Sequence, residues 1–323
     1  MNSQTYHVED DCRLDQFLTT KIDNSRSAIA NLIKKGGITR NDREVTKPSA
    51  KLHTGDTVIV HFPEMQKDTS ETQIPNFDVD IIYEDDDILV ISKPPHVVVH
   101  PAPSYKEPTL VDWLKYKGYS LSTLSGEERH GIVHRLDKET SGAMVIAKND
   151  AAHQKLSDQL TDRSMGRYYL ALLDQSLKED CIVTAPIARN RANRLKMGIV
   201  ASGKSAKSAF MKIHESDFHK YELIAAKLFT GRTHQIRVHL GLKSRHIMGD
   251  ELYGFNNPHI KVPRVMLHAY LLYLIHPTTG ELCMFEAPIP ADFMHTINTY
   301  ITKESLDEKL NKDFILNTFN TSA

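Results

Sequence analysis

Beyond about residue 75, strand-like apolar runs in this sequence follow one another across turns that are too short to contain a crossover helix. In DVDIIYEDDDILVISK two such runs flank the acidic turn 84–87, and LHAYLLYLIHP is joined to ELCMFEAP across TTG. Short connections of this kind make antiparallel hairpins, whereas parallel neighbours need a crossover of about a dozen residues or more. The pattern therefore predicts an α+β fold with a mostly antiparallel mixed sheet, not a doubly wound parallel one.

Further segments complete this picture of mixed strands and helices. GAMVIAKND, RYYLALL, AKSAFMKIHE and YELIAAKLF are typical of strands, and AKSAFMKIHE alternates with a period of two. One helix is predicted from about Asp150 to Leu160, with Asn149 or Asp150 as its cap, and another over THQIRVHLGLK, capped by Thr233. From Lys303 onward, KESLDEKLNKDFILNTF predicts a C-terminal helix packed on the outside.

The length of 323 residues suggests two domains, at roughly 150 residues each. The N-terminal part predicts a small α+β unit, with helices around RLDQFLTTKI and SRSAIANLIKKGG and short strands ending in DTVIVHF. The polar stretch MQKDTSETQIP is typical of a linker. We therefore expect domains at 11–64 and 76–300, a linker at 65–75 and a helical tail over 301–323.

Composition excludes several classes of protein. Apolar residues make up 40% of the chain, and no apolar run approaches the roughly twenty residues of a membrane span. The polar, acidic N-terminus lacks a signal-peptide pattern, so we expect a cytoplasmic protein without membrane association. The three cysteines are far apart and no HExxH motif occurs, so we expect no metal site.

The stretch GIVASGKS, from Gly198 to Ser205, matches the phosphate-binding pattern G-x-x-x-x-G-K-[ST]. A true P-loop lies between a buried parallel strand and a helix. Here the upstream segment PIARNRANRLKM is basic instead of apolar, and the downstream segment AKSAFMKIHE alternates as a strand. The stretch is therefore better explained as the turn and strand entry of a basic hairpin than as a nucleotide site.

Two basic tracts favour a polyanionic partner, although a charge run is more often a solvated face. The first, from Pro186 to Ser208, contains no acid and carries Arg189, Arg191, Arg194, Lys196, Lys204 and Lys207. The second lies in the N-terminal unit and carries Lys34, Lys35, Arg40, Arg43 and Lys47. Such local clusters of lysine and arginine bind phosphate irrespective of the net charge, which is −1 here.

Three segments contain candidate catalytic residues. In HGIVHRLDKETSG, Asp137 lies between Arg135 and Lys138, which is also the composition of an ordinary charged turn. In LFTGRTHQIRVHL, Arg237 falls on the apolar side of a predicted helix and needs a buried carboxylate partner, for which Asp137 is the best candidate. In RYYLALL, Tyr169 stands in mid-strand, where a tyrosine is more often part of the core.

The motifs HRLDKETSG, KPPHVVVHPAP, RYYLAL, GRTHQIRVHL, GDELYG and MLHAYLL resemble, in that order, the RluA-type pseudouridine synthases. The N-terminal unit is similar to the small S4-type RNA-binding domain. Together the matches cover the chain from about Asp11 to Pro290, and the pairing of domains is closest to the RluD group, which acts on large-subunit ribosomal RNA. The resemblance implies an isomerase that breaks the N1–C1′ bond of uridine, rotates the base and rejoins it through C5.

The resemblance also implies roles for individual residues. Asp137 would be the catalytic carboxylate, Tyr169 would stack on the target base and Arg237 would pair with Asp137. Expected substrate contacts around the extruded nucleotide are His134, Arg135, Arg232 and Leu267. Expected RNA contacts elsewhere are Arg194, Lys196, Lys204, Lys207, Lys34, Lys35 and Arg40. This chemistry requires neither a cofactor nor a metal, and we expect a monomer whose partner is RNA.

Three departures from the family pattern and three alternatives remain. The segment DQS follows RYYLALL where the family commonly has a glycine. His96 stands where the family usually has glycine, and Arg167 stands where it usually has lysine. A different ribosomal site or a transfer RNA is compatible with the same motifs. A non-catalytic RNA-binding assembly factor and a nucleotide hydrolase based on GIVASGKS are the hypotheses from other classes.

Overall fold

The computed structural model describes residues 2–22, 26–34, 36–62, 74–102, 105–216 and 220–320. The chain divides into two compact units, Met1–Gln73 and Ile74–Ala323. The predicted linker at 65–75 falls almost entirely outside the described residues. Each unit has its own hydrophobic core, and each is described separately below.

The N-terminal unit combines two helices with short strands. Its elements are β1 (Asn2–His7), β2 (Cys12–Arg13), α1 (Leu14–Lys21), α2 (Arg26–Lys34), β3 (Ile38–Arg40), β4 (Arg43–Glu44), β5 (Lys51–Leu52) and β6 (Thr57–Phe62). The main sheet has the order β1-β6-β3-β4, and β2 pairs with β5. Both predicted helices are present, and their apolar side chains, including Leu18 and Ile33, are buried with Val58 of the sheet.

The larger unit is built on one extended sheet. Its strands are β7 (Asp80–Glu84), β8 (Ile88–Lys93), β9 (Ser141–Ala147), β10 (Gly166–Leu173), β11 (Cys181–Thr184), β12 (Ile187–Arg189), β13 (Met197–Ile199), β14 (Lys207–Glu215), β15 (Glu222–Leu228), β16 (Leu267–Ile275) and β17 (Leu282–Glu286). Its helices are α3 (Leu110–Tyr116), α4 (Asp150–Asp162), α5 (Gln235–Leu242), α6 (Ala291–Tyr300) and α7 (Lys312–Asn320), with short 3₁₀ turns at Glu127–Arg129 and Glu251–Tyr253.

The strand order in the sheet is β11-β14-β15-β10-β16-β9-β8-β7, with β17 also paired to β16. Within the described residues, β16 and β9 are the parallel neighbours and the other pairs are antiparallel. The predicted hairpins β7–β8 and β16–β17 are present. The predicted α+β fold with a mostly antiparallel mixed sheet is therefore confirmed.

The parallel contact between β9 and β16 fixes the loop that precedes β9. Ser141 pairs with His268, and Gly142 pairs with Ala269. Gly142 has φ of 116°, and a Cβ atom at this position would lie 2.1 Å from the carbonyl oxygen of Ala269. Only glycine allows the two backbones to approach so closely. The loop that ends at Ser141 is thereby held beside the start of β16.

The predicted cap of helix α5 is wrong. Helix α5 begins at Gln235, and its N-cap is His234 in the left-handed conformation, not Thr233. The carboxamide oxygen of Gln235 accepts hydrogen bonds from the Arg232 backbone N–H and the Thr230 hydroxyl, so a glutamine inside the helix orders the preceding loop. The predicted cap of α4 is present, because the Asn149 side chain accepts from the backbone of the first turn.

The GIVASGKS stretch forms no P-loop. Strand β13 covers its first part, a turn follows, and β14 begins at Lys207 without a helix. Gly203 is needed for a different reason, since a Cβ atom here would lie 2.7 Å from backbone atoms of Ile187. The backbone N–H of Lys204 donates to the Ile187 carbonyl, which closes the hairpin. Glycine at position 203 thus lets its backbone lie close to that of Ile187.

The C-terminal segment is part of the fold. Its helix α7 begins at Lys312, later than the sequence indicates, and buries Ile315 and Phe319. The Phe319 ring lies 5.2 Å from the ring of Tyr168 on β10. Among the described residues, no helix is both long and apolar enough to cross a bilayer.

Candidate active site

Asp137 lies in the loop that leads into β9. The backbone carbonyl of Asp137 accepts a hydrogen bond from Thr140, and the neighbouring Leu136 is buried, so both ends of this short segment are anchored. The Asp137 carboxylate is 19% exposed, and its Oδ2 lies 3.3 Å from Nη1 of Arg237. A carboxylate of the expected type is thus held at a partly buried position beside a cation.

Arg237 on α5 is fixed mainly by a second carboxylate. Its Nε and Nη2 donate to the two oxygens of Asp250, each at 2.7 Å, in a bidentate pair. Asp250 is 1% exposed and caps the 3₁₀ turn at Glu251–Tyr253. Burial would lower the pKa of Arg237, but the hydrogen bonds and charge of Asp250 raise it. Arg237 therefore remains a cation, with one nitrogen left to face Asp137.

His234 and Tyr253 surround the same ion pairs. His234 Nε2 lies 3.9 Å from Asp137 Oδ2, and its Nδ1 lies 2.8 Å from the Tyr253 hydroxyl. The Tyr253 ring in turn covers the Arg237 guanidinium at 4.8 Å. Burial lowers the pKa of His234, although the Asp137 charge opposes this. The backbone of His234 is left-handed, with φ of 55°, so a side chain is held here at some conformational cost.

Tyr169 lies in the middle of β10 and is 4% exposed. Its side chain reaches the cavity that Asp137 lines. Burial raises the pKa of the Tyr169 hydroxyl, and the Arg167 charge partly offsets this. The hydroxyl therefore stays protonated near neutral pH. Tyr169 thus contributes an aromatic side chain to the cavity wall.

The predicted residues that come together line one cavity of about 510 Å³. Its walls include the sequence-predicted residues His134, Arg135, Asp137, Tyr169, Arg232, Arg237 and Leu267. Leu267 contributes an apolar wall. His134 is buried, and its Nε2 accepts a hydrogen bond from the Val145 backbone, so it also braces β9. Burial lowers the pKa of His134 to about 3.

The cavity is strongly cationic. Beyond Arg237, the arginines in its walls are Arg129, Arg135, Arg163, Arg167 and Arg232. Among the described residues these five form no ion pair with an acid, and Asp137 is the carboxylate of the cavity wall. An excess of guanidinium groups around a single carboxylate is suited to binding a polyanion.

Other predicted RNA contacts lie outside this cavity. Arg194 and Lys196 occupy the turn between β12 and β13, and Arg194 is exposed. Lys204 lines a neighbouring groove of about 400 Å³ together with Arg232. Lys207 lies over the Phe229 ring at 4.6 Å. These four cations lie in the β12–β13 hairpin or in the segment that follows it, and none of them lines the cavity.

Of the RNA contacts predicted in the N-terminal unit, one is exposed and one is already bonded within the protein. Lys34 is exposed at the end of α2. Arg40 is already engaged, because its Nε lies 2.7 Å from Asp56 and its Nη1 donates to the Lys51 carbonyl. Lys35 lies outside the described residues.

His96, which stands where the family pattern usually has glycine, adopts a backbone conformation typical of glycine. Its φ is 66°, in the left-handed region that glycine adopts most readily. The His96 Nδ1 lies 3.0 Å from Glu139, which ties this turn to the loop after Asp137. The departure from the family pattern therefore leaves the local backbone conformation accessible.

Sequence reasoning missed Asp250, Tyr253 and the role of His234. Asp250 stands in GDELYG, where it has the pattern of a helix cap, and nothing in that pattern indicates that it also binds Arg237. Among the described residues, one group of potential metal ligands lies together, Asp85, Asp87 and His276. His276 Nε2 is 2.7 Å from Asp85, and none of the three lines the cavity.

Comparisons with known proteins match both units of the chain. A family model for RNA pseudouridylate synthase matches residues 87–241, and a model for the S4 domain matches residues 12–58. An "Uncharacterized RNA pseudouridine synthase" of Helicobacter pylori strain J99 is 44% identical over 313 residues, which cover 95% of each chain. The "Ribosomal large subunit pseudouridine synthase D" of Pseudomonas aeruginosa is 38% identical, covering 87% of this chain and 90% of that one.

The fold is similar to a solved human protein as well. The structure of "Human RNA Pseudouridylate Synthase Domain Containing 1" has a TM-score of 0.56 and 26% identity, covering 72% of this chain and 92% of its own. With a relative 44% identical along nearly the whole length, the chain belongs to the RNA pseudouridine synthases, a family of isomerases.

Proposed function

We propose that this enzyme converts specific uridines of large-subunit (23S) ribosomal RNA to pseudouridine, with Asp137 as its catalytic carboxylate. The observation that carries the proposal is the single carboxylate Asp137, held 3.3 Å from Arg237 in a cavity whose walls also contain five arginines without an ion pair among the described residues. Such a site attracts a polyanion and offers it one fixed negative charge.

That one carboxylate suits the reaction. When the N1–C1′ bond breaks, C1′ loses its electron pair to the base and becomes electron-deficient. The Asp137 carboxylate can stabilise C1′ as a counter-ion or by forming a bond to it. Arg237, clamped by Asp250, holds the Asp137 carboxylate in place through its Nη1. Tyr169 supplies an aromatic surface for the uracil.

The depth of the site explains the need for nucleotide flipping. Tyr169 is 4% exposed, and a base within a helix cannot reach it without leaving the stack. The exposed arginines at the cavity rim, Arg129, Arg135, Arg163 and Arg232, are suited to hold the flanking phosphates. The S4-type unit would add RNA affinity from outside the cavity, with Lys34 among its exposed cations.

The ribosomal target is supported by the relatives. Proteins of Pseudomonas aeruginosa and Zymomonas mobilis that carry the name "Ribosomal large subunit pseudouridine synthase D" are 38% and 36% identical to this chain. A transfer RNA or another ribosomal site is the competing substrate. Pseudouridine maps of ribosomal and transfer RNA from a strain lacking the gene, compared with its parent, identify the target. Loss of a transfer-RNA pseudouridine alone would contradict the ribosomal assignment.

The catalytic assignment is tested with Asp137→Asn. The variant should release no tritium from RNA labelled at C5 of uridine, because C5 loses its hydrogen only when it bonds to C1′. RNA affinity should persist, since Asp137 makes no attractive contact with phosphate. Glu139→Gln is the matched control, because Glu139 is an acid two positions away that does not line the cavity. Normal tritium release by Asp137→Asn would refute the assignment.

A further inference from the structure

Arg167 on β10 is a buried cation for which the described residues supply no partner. It is 7% exposed, its Nε is sealed from solvent without a hydrogen-bond acceptor, and no described residue accepts a hydrogen bond from its guanidinium or forms an ion pair with it. An unpaired charge in a protein interior is strongly unfavourable, so its presence indicates that something outside the fold supplies the partner.

The same unit shows what a structural buried arginine looks like. Arg264 is 3% exposed, and it forms a bidentate pair with Asp292 at 2.6 and 3.0 Å. Its Nη1 also donates to backbone carbonyls, including that of Glu139. Arg237 is likewise held by Asp250. Arg167 differs from both, because its partner is missing from the described part of the chain.

The position of Arg167 shows where that partner would lie. Arg167 and Tyr169 are alternate residues of β10, which pairs regularly with β15, so both side chains point to one face of the sheet. Both line the cavity that contains Asp137. The guanidinium also touches the loop before α5, since a Cβ atom at Gly231 would lie 2.7 Å from its Nη1. The open side of the guanidinium therefore faces the ligand.

Depth separates Arg167 from the other arginines of the cavity. Arg129, Arg163 and Arg232 are exposed at the rim, where the phosphates of a continuous RNA strand must remain. Arg167 is sunk beside Tyr169, the ring on which the base is proposed to stack. Its natural partner is thus a group on the base and not a phosphate.

We propose that the Arg167 guanidinium binds a carbonyl oxygen of the flipped uracil and stabilises the charge that the base acquires when the N1–C1′ bond breaks; this inference rests on the proposed function. In that step the bonding electron pair stays on N1 and is delocalised onto O2 and O4. The base then turns, C5 bonds to C1′, the C5 proton leaves to solvent and N1 takes up a proton, so the sum is an isomerisation. The base departs as an anion whether or not Asp137 bonds to C1′.

The experiment measures the single-turnover rate of tritium release at saturating RNA, the RNA Kd and the Tm. Arg167→Met should slow the rate by about 10²- to 10³-fold, the range for losing one preorganised donor to a developing anion. The Kd should change less than about threefold and the Tm should not fall, because removing an unpaired buried charge does not weaken the fold. A merely structural arginine would lower the Tm.

Lys227→Met is the matched control. Lys227 lies on the neighbouring strand, over the Tyr168 ring at 5.2 Å, and does not line the cavity. The Lys227→Met variant also loses a cation, and its rate and RNA Kd should match those of the wild type. Gly231→Ala is the second variant, because the added methyl group must push the guanidinium aside while its charge remains. We expect a slower rate here too.

The outcomes are distinct. A normal rate for Arg167→Met overturns the proposal, and so does a weaker Kd with a normal rate at saturation, which would indicate a phosphate contact. If Arg167→Met does not fold, the proposal is overturned instead by a normal single-turnover rate for Gly231→Ala. Absence of tritium release from the wild type on every RNA tested would contradict the proposed function itself, which is a different result from a variant defect.

Discussion

At the scale of single residues, the site depends on how charge is buried. Asp250 binds Arg237, which orients Asp137, whereas Arg167 is left without a partner within the described residues. Paired and unpaired cations thus stand around one carboxylate. The paired Arg237 fixes geometry, and Arg167, the buried one of the unpaired arginines, is proposed to bind substrate.

His268 provides a residue-scale prediction. It is fully buried at the start of β16, where its Nδ1 hydrogen-bonds the Ser141 hydroxyl beside the Asp137 loop. Burial lowers the pKa of His268 to about 4, against about 6.5 in the unfolded chain. The unfolded chain therefore binds the extra proton between these values, so the stability that the neutral ring contributes is complete above pH 6.5 and is lost as the pH falls towards 4.

We expect the difference in unfolding free energy between the wild type and His268→Gln to shrink by about 2 kcal/mol between pH 7 and pH 5. Urea unfolding, followed through the fluorescence of Trp113, measures this, because Trp113 is the single tryptophan and is buried in the same unit. The exposed His295→Gln is the control. If the difference in unfolding free energy does not change with pH, the lowered pKa of His268 is contradicted.

At the scale of elements, the hairpin β12–β13 connects the outer basic surface with the site. The Met197 backbone N–H donates to the Tyr253 hydroxyl at 2.7 Å, and that hydroxyl hydrogen-bonds His234. The turn of the hairpin holds Arg194 and Lys196 away from the cavity. Its side chains are suited to bind RNA beyond the target nucleotide.

Replacing Arg194 and Lys196 with glutamine should weaken RNA binding and leave the rate at saturating RNA unchanged. If each cation contacts one phosphate of a single strand, at about 0.7 per contact, the slope of log K against log salt should become less steep by about 1.4. Titrations between low and moderate salt measure this. The same exchange at the exposed Lys178 and Lys303 is the control. An unaltered slope would argue against the hairpin as an RNA contact.

At the scale of the whole molecule, two compact units carry separate cores. The cavity residues all belong to the unit that begins at Ile74. A fragment of residues 74–323 should therefore unfold at the same urea concentration as the full chain, as seen by Trp113. It should keep its single-turnover rate and bind RNA more weakly, because the S4-type unit is missing. Loss of the rate at saturating RNA would show that the N-terminal unit takes part in catalysis.

How far the sequence predicts these features depends on how local they are. The hairpins β7–β8 and β16–β17 follow from strand patterns and short turns, and the α4 cap follows from Asn149. The start of α5 was mispredicted because Gln235, inside the helix, orders the loop that a threonine cap was expected to order. Local patterns do not contain such a contact.

The sequence by itself determined the mixed, hairpin-rich architecture and the motifs that carry Asp137, Tyr169 and Arg237, because periodicity, turns and motif order are properties of neighbouring residues. The tertiary structure alone decided that Asp250 holds Arg237 from 13 positions away and that Arg167 is a buried cation without a partner in the described chain. Burial and pairing depend on which distant segments pack together, and only the folded sheet brings those segments into one cavity.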